Sequence, residues 1–68
     1  MTIPAAALRQ AMRAKGWNVT ALAYNMGVTE GAVRRWLNGQ AAPAGNTLLL
    51  LMASLPGFRD AIYEEIAS

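Results

Sequence analysis

Residues 17–39 have the sequence WNVTALAYNMGVTEGAVRRWLNG, and this stretch decides the fold. Asn18 can cap a helix because its side-chain oxygen accepts a hydrogen bond from the first turn, and Gly27 can end that helix in the left-handed conformation. Thr29 can cap a second helix directly afterwards. The stretch therefore predicts two short helices that are joined by a tight turn and cross steeply, and the small Ala23 lets them approach closely.

Glycine and proline also mark where the other helices begin and end. We expect a first helix that opens near Thr2 and Pro4, because proline suits a first turn, and that closes at Gly16. Breaks at residues 38–45 and 56–57 separate two further helical segments. No run has the alternating β-branched residues of a strand. The sequence predicts an all-α fold, a compact bundle of roughly four to five short helices.

Length and composition limit the chemistry that the chain can perform. With 68 residues, of which 54% are apolar and 15% charged, the chain is expected to fold as a single domain over residues 1–68. It contains no Cys and no His, so zinc fingers, imidazole bases and thiol nucleophiles are excluded. We therefore expect no enzyme, no metal and no cofactor. No apolar run reaches the roughly 18 residues of a membrane span, which predicts a soluble protein.

The charges are distributed unevenly along the chain. Residues 1–45 contain five basic side chains and one acidic one, a charge of +4, whereas residues 46–68 contain one basic and three acidic, a charge of −2. Clustered basic residues favour phosphates, because binding releases counterions. The basic part predicts nucleic acid as the partner. An anionic membrane surface is rejected, because the apolar residues follow several separate helix faces.

The helix that begins after Thr29 has two different faces at about 100° per residue. Its buried side is expected to hold three apolar residues, Val33, Trp36 and Leu37. The opposite side, here named the reading face, holds Gly31, Arg34, Arg35 and Asn38. Glu30 lies at the edge of this face and has two open roles: it either favours the positive helix N-terminus or accepts a hydrogen bond from a cytosine amine.

Residues 17–39 resemble the helix-turn-helix of the phage Cro and lambda-repressor family of transcriptional regulators. The resemblance covers about residues 5–57, and its most specific residues are Leu22-Ala23, Gly27-Val28-Thr29, Val33, Asn38-Gly39 and Pro43. It implies that the helix after Thr29 lies in the major groove of DNA while the preceding helix crosses the backbone. The helix-turn-helix is expected over about residues 18–38.

The resemblance also implies which residues contact DNA. Family positions that touch base edges correspond here to Thr29, Glu30, Gly31 and Arg35, with Arg34 one step away. Positions that commonly bind phosphates correspond to Asn18, Asn38 and Gln40. Where the family often has Gln this chain has Val19, and Thr20 is the expected substitute. Arg9 and Arg13 share a solvent face, which fits either phosphate contact or simple solvation.

Two core positions depart from the family pattern. Many members pair an Arg of the first helix with a Glu just before the Asn-Gly that ends the recognition helix, and here Met12 and Leu37 occupy these positions. Removing one partner of a buried ion pair leaves an uncompensated charge, whereas replacing both can be neutral. We therefore expect Met12 and Leu37 to form a packed apolar pair.

The implied function is that of a sequence-specific regulator that binds double-stranded DNA. The resemblance favours a small Cro-type repressor that binds a pseudo-palindromic operator as a homodimer, in the cytoplasm at the nucleoid of a bacterial or phage-infected cell. The alternative is a protein-interaction module, antitoxin-like or partner-binding, in which the apolar C-terminal part carries the main function. The sequence does not choose between repressor and activator, or between a Cro-type, an antitoxin and an anti-CRISPR-associated role.

The fourth helix carries more apolar residues than a single core can cover. Starting from Leu48, its inner stripe is expected to contain Leu51, Met52 and Leu55, whereas Leu49 and Leu50 point away from that stripe. We expect a second copy to cover an apolar interface formed by Leu49, Leu50, Phe58, Ile62 and Ile66, with residues 56–68 as a candidate dimerisation segment. The alternative is that the last helix folds back over Leu50 within one chain.

Overall fold

The computed structural model describes residues 4–67. Within this range the chain forms five helices and no strand: α1 (Ala5–Lys15), α2 (Val19–Met26), α3 (Glu30–Leu37), α4 (Gly45–Ser54) and α5 (Pro56–Ala67). The predicted all-α fold is confirmed. Pro4 stands just before α1, while Thr2, the other residue expected at this start, lies outside the described residues. None of these helices is long and apolar enough to cross a membrane.

The predicted helix boundaries around the central turn are confirmed. The side-chain oxygen of Asn18 accepts a hydrogen bond from the Ala21 N–H at 2.8 Å and caps α2. The Thr29 hydroxyl accepts one from the Ala32 N–H at 3.1 Å and caps α3. Gly27 ends α2 with φ of 70°, a left-handed conformation that strains residues with a Cβ. Local hydrogen bonding thus fixes both ends of the turn.

Each helix contributes one fully buried side chain to a common core. Leu8, Leu22, Val33, Leu51 and Phe58 all have an exposed fraction of 0%. They pack with eight other buried apolar residues: Ala11, Met12, Ala23, Met26, Trp36, Leu37, Leu55 and Ile62. Because the core draws on every helix, the orientation of α3 is fixed by the whole fold and not by α2 alone.

Helix α5 corrects part of the expected dimer interface. Phe58 and Ile62, expected to meet a second copy, are 0% and 2% exposed and are buried in the chain's own core. The physical reason is that α5 packs against both α1 and α4. The apolar side of α5 is therefore already covered within one chain.

The outward face of α4 agrees with the prediction. Leu51 and Leu55 are buried, Leu48 and Met52 are half-buried, and Leu49 and Leu50 remain 64% and 48% exposed. The alternative that α5 covers Leu50 within one chain is wrong, because Leu50 is about half exposed although α5 is folded back. Ile66, the last member of the expected interface, is also exposed, at 64%.

Candidate nucleic-acid interface

Helices α2 and α3 pack against each other across the turn at residues 27–29. The Val28 N–H donates to the carbonyl of Ala23 at 3.0 Å, which closes the end of α2. Ala23, Met26 and Val33 are buried beside this turn. The arrangement sets α3 at a fixed angle on the rest of the molecule, so whatever α3 exposes is presented as a rigid surface.

Helix α3 has the two faces that its sequence predicts. Val33, Trp36 and Leu37 are 0%, 6% and 8% exposed. The four residues of the reading face are all exposed: Gly31, Arg34, Arg35 and Asn38. Two guanidinium groups and one amide therefore extend from one side of α3, whereas the side chains on its opposite side are buried in the core.

Glu30 and Arg34 form an ion pair on α3. The Arg34 guanidinium donates from Nη2 to Oε1 of Glu30 at 3.0 Å, and the two side chains are 60% and 42% exposed respectively. This pair was not among the sequence-based predictions, although the sequence contains its signal: a Glu four residues before an Arg is the favourable order for an ion pair on a helix. Both residues were expected to contact DNA, and the structure pairs them with each other.

Arg35 differs from Arg34 although the two are adjacent. Among residues 4–67, no hydrogen bond or ion pair involves the Arg35 side chain. Its backbone carbonyl accepts hydrogen bonds from the N–H groups of Gln40, at 2.9 Å, and Ala41, at 3.3 Å. The backbone at Arg35 is therefore fixed while its guanidinium is available to a ligand.

The two smallest residues that were expected to touch bases lie at the start of α3, where Thr29 is the cap and Gly31 is in the first turn. The Thr29 hydroxyl accepts the capping bond from Ala32, and its own O–H remains able to donate. At Gly31, an added Cβ would lie 3.9 Å from Thr29 Oγ1, which is an ordinary contact distance. Nothing in the fold requires glycine here, and its bare backbone lies in the middle of the exposed face.

The structure brings three of the expected phosphate-binding residues to one place. Arg9, Arg13 and Asn18 line a single open pocket between α1 and the start of α2, with an apolar floor that includes Met12 and Leu37. Asn18 uses its side-chain oxygen for the cap and retains its amide N–H groups for a ligand. The remaining three expected phosphate contacts are exposed but do not line this pocket: Thr20, Asn38 and Gln40.

Arg9 also has a structural partner that no local pattern in the sequence indicates. Its Nη2 donates to the backbone carbonyl of Leu37 at 3.1 Å, across 28 positions of sequence. This carbonyl is at the C-terminal end of α3, where unpaired carbonyl groups favour a cation. Arg9 therefore links α1 to α3, and the other N–H donors of its guanidinium remain able to bind a phosphate.

Met12 and Leu37 occupy the same region of the core. They are 6% and 8% exposed and line the same pocket, as expected for apolar residues that take the place of an ion pair. The guanidinium of Arg9 lies at the edge of this region and bonds to backbone, not to a carboxylate. The contact between α1 and α3 thus combines apolar burial with one hydrogen bond at its rim.

Comparison with known proteins agrees with this geometry. A family model described as helix-turn-helix matches residues 8–56, which include all of α2, α3 and α4. The chain belongs to the Cro/C1-type helix-turn-helix family. Neither a search of the curated proteins nor a search of the solved structures gives a match. This helix-turn-helix protein is a DNA-binding transcription regulator.

The match ends at residue 56, just where α5 begins. Helix α5 therefore completes the core of this helix-turn-helix protein beyond the part that the family model describes.

Within residues 4–67 there is no group of three or more Asp or Glu side chains that could bind a metal ion.

Proposed function

We propose that this helix-turn-helix protein is a small Cro-type repressor that binds a pseudo-palindromic operator as a homodimer and occludes a promoter. It acts by binding alone and performs no catalysis. The observation that carries the proposal is the two-sided α3, which the core fixes through Val33 and Trp36 while Arg34 and Arg35 extend outward. A helix held in this way can enter a major groove without changing its conformation.

Salt dependence tests the electrostatic part of this proposal. The basic residues of α1 and α3 would release counterions from DNA, so about six phosphate contacts should give a log-log salt slope near −5. Selection of bound sequences from random duplex DNA, followed by anisotropy titrations on the enriched site, measures specificity and slope together. The protein-interaction alternative predicts no enriched sequence and a flat salt response.

Arg35→Ala is expected to weaken binding to the best operator by about 1–3 kcal/mol and to flatten the preference at one base pair in each half-site. The reason is that an unpaired guanidinium on the reading face can donate in bidentate fashion to guanine O6 and N7. Anisotropy titrations on the best site and on its single-base variants measure both effects.

The control for this substitution is Arg59→Ala. It removes the same charge from α5, where Arg59 pairs with Asp60 at 3.3 Å, away from the helix-turn-helix. It should leave the base preference intact. If Arg35→Ala weakens binding to all sequences equally, Arg35 contacts a phosphate and not a base.

The proposed homodimer is supported by the size of the structure and by its remaining exposed apolar side chains. The longest dimension of the structure is 31 Å, and each chain presents α3 as its helix for the major groove. Successive major grooves on one DNA face are about 34 Å apart. Reading both half-sites therefore requires two copies. Without Phe58 and Ile62, the proposed interface consists of Leu49, Leu50 and Ile66, joined by Tyr63, which is 57% exposed.

Leu50→Glu is expected to abolish dimers at micromolar concentration and to weaken operator binding, because it places a carboxylate in an apolar contact. The Leu50→Glu variant should retain its fold, since Leu50 is 48% exposed in one chain. Sedimentation equilibrium and circular dichroism check these two outcomes. Gln10→Glu adds the same charge on exposed α1 and serves as the control. A wild-type chain that is monomeric and protects a single half-site would refute the homodimer.

A further inference from the structure

We propose that Glu30 and Arg34 recognise one guanine as a unit, in which Arg34 contacts the base and Glu30 is the residue that positions it. The observation that carries this inference is the hydrogen bond from Arg34 Nη2 to Glu30 Oε1 at 3.0 Å. The inference rests on the proposed function, because it names the base that one part of α3 takes. The sequence left two roles open for Glu30, favouring the helix N-terminus and accepting from a cytosine amine. The inference replaces both with a third role, which is to position Arg34.

The geometry of the pair favours positioning over stabilisation of the fold. Glu30 is the first residue of α3 and Arg34 lies one turn later, with side chains 42% and 60% exposed. A pair this exposed adds little to the free energy of unfolding, because solvent screens it. What the pair does change is the freedom of the guanidinium, which is oriented before DNA arrives and so loses less entropy on binding.

The charge of the pair favours a base edge over a phosphate. The Glu30 carboxylate offsets the charge of Arg34 and would itself repel a nearby phosphate. A guanidinium carries several N–H donors in a fixed plane, and Glu30 takes only one of them. The donors that remain match guanine O6 and N7, the commonest target of an arginine in the major groove. The pair therefore keeps the planar set of N–H donors that can bind guanine. Its net charge is close to zero, so it has little attraction for the phosphates of the DNA backbone.

Arg35 provides the comparison within the same helix. Its guanidinium has no hydrogen bond or ion pair in the part of the chain that the structure describes. It must be ordered by DNA itself, at a cost in side-chain entropy. Recognition by Arg34 should therefore depend on Glu30, whereas recognition by Arg35 should not.

Selection from random duplex DNA with five chains tests this difference: wild type, Glu30→Ala, Arg34→Ala, their double variant and Arg35→Ala. We expect Arg34→Ala to lose the guanine preference at one base pair, Glu30→Ala to weaken the preference at that same base pair, and Arg35→Ala to change another. Arg34→Ala should weaken the best site by about 5- to 150-fold. The double variant should be no less selective than Arg34→Ala, because the two residues act together.

Glu30→Gln separates positioning from charge. It keeps an oxygen that can accept the Arg34 bond, so part of the guanine preference should return relative to Glu30→Ala. Circular dichroism of each variant confirms that the fold is retained.

Three outcomes would overturn the inference and leave the proposed function standing. If Glu30→Ala leaves unchanged the guanine preference that Arg34→Ala loses, Glu30 does not position Arg34. If Arg34→Ala weakens all sequences equally, Arg34 binds a phosphate. If Glu30→Ala changes the preference at a base pair that Arg34→Ala leaves untouched, Glu30 reads that base itself. A wild-type chain that enriches no sequence would overturn the proposed function and the inference together.

Discussion

Leu37→Glu is expected to destabilise the fold by about 3–5 kcal/mol, because it places a carboxylate without a built-in partner at a buried position. Leu37 is 8% exposed and lies in the core near Met12. Adding Met12→Arg should recover part of the loss, since it restores the ion pair that many family members have at these two positions. Urea unfolding followed by circular dichroism measures the free energy of each variant.

The matched control for this pair is Leu37→Met, which conserves volume and should cost less than about 1.5 kcal/mol. Two results would contradict the expectation. A double variant no more stable than Leu37→Glu would mean that side chains 12 and 37 do not meet. A single variant as stable as the wild type would mean that Arg9 or Arg13, which line the same pocket, neutralises the new carboxylate.

Phe58→Ala is expected to cost about 3–5 kcal/mol, because it removes a fully buried aromatic ring from the centre of the core. A chain of 68 residues has an unfolding free energy of only about 3–10 kcal/mol. The variant should therefore lose a large fraction of this free energy and unfold at a much lower temperature, and it should lose DNA binding wherever it unfolds, although α5 contributes none of the proposed DNA contacts. Circular dichroism and thermal unfolding check the first expectation, and anisotropy the second.

Ile66→Ala serves as the control on the same helix. Ile66 is 64% exposed, so its truncation should change the stability of one chain by no more than about 0.5 kcal/mol. If Phe58→Ala were as stable as Ile66→Ala, α5 would not be part of the core. The pair of variants thus separates the role of α5 in folding from any role in an interface between copies.

The features that could be predicted from the sequence are the ones that local bonds determine. Asn18 and Thr29 cap their helices through neighbours three residues away, and Gly27 ends α2 by its own conformation. The two faces of α3 follow from helical periodicity alone. The Glu30–Arg34 pair belongs to the same class, because its spacing of four residues was visible in the sequence.

Apart from the Glu30–Arg34 pair, the features that were missed depend on contacts far apart in the chain. Periodicity showed that α5 has an apolar side, but not that α1 would cover Phe58 and Ile62. The bond from Arg9 to the Leu37 carbonyl joins two helices across 28 positions and leaves no local signature. Which apolar surfaces meet depends on how all five helices pack together. The periodicity of each helix shows its apolar side but does not show which other helix covers that side.

Gly31 bears on how this regulator can change its target in evolution. A Cβ at residue 31 would lie 3.9 Å from Thr29 Oγ1, which is an ordinary contact distance, and most residues favour a helix more than glycine does. The fold therefore has room for a Cβ at this residue. In the proposed complex with DNA, a substitution at residue 31 would introduce a new group among the bases, such as a methyl that packs on thymine. Operator preference can thus diverge at this position without loss of stability.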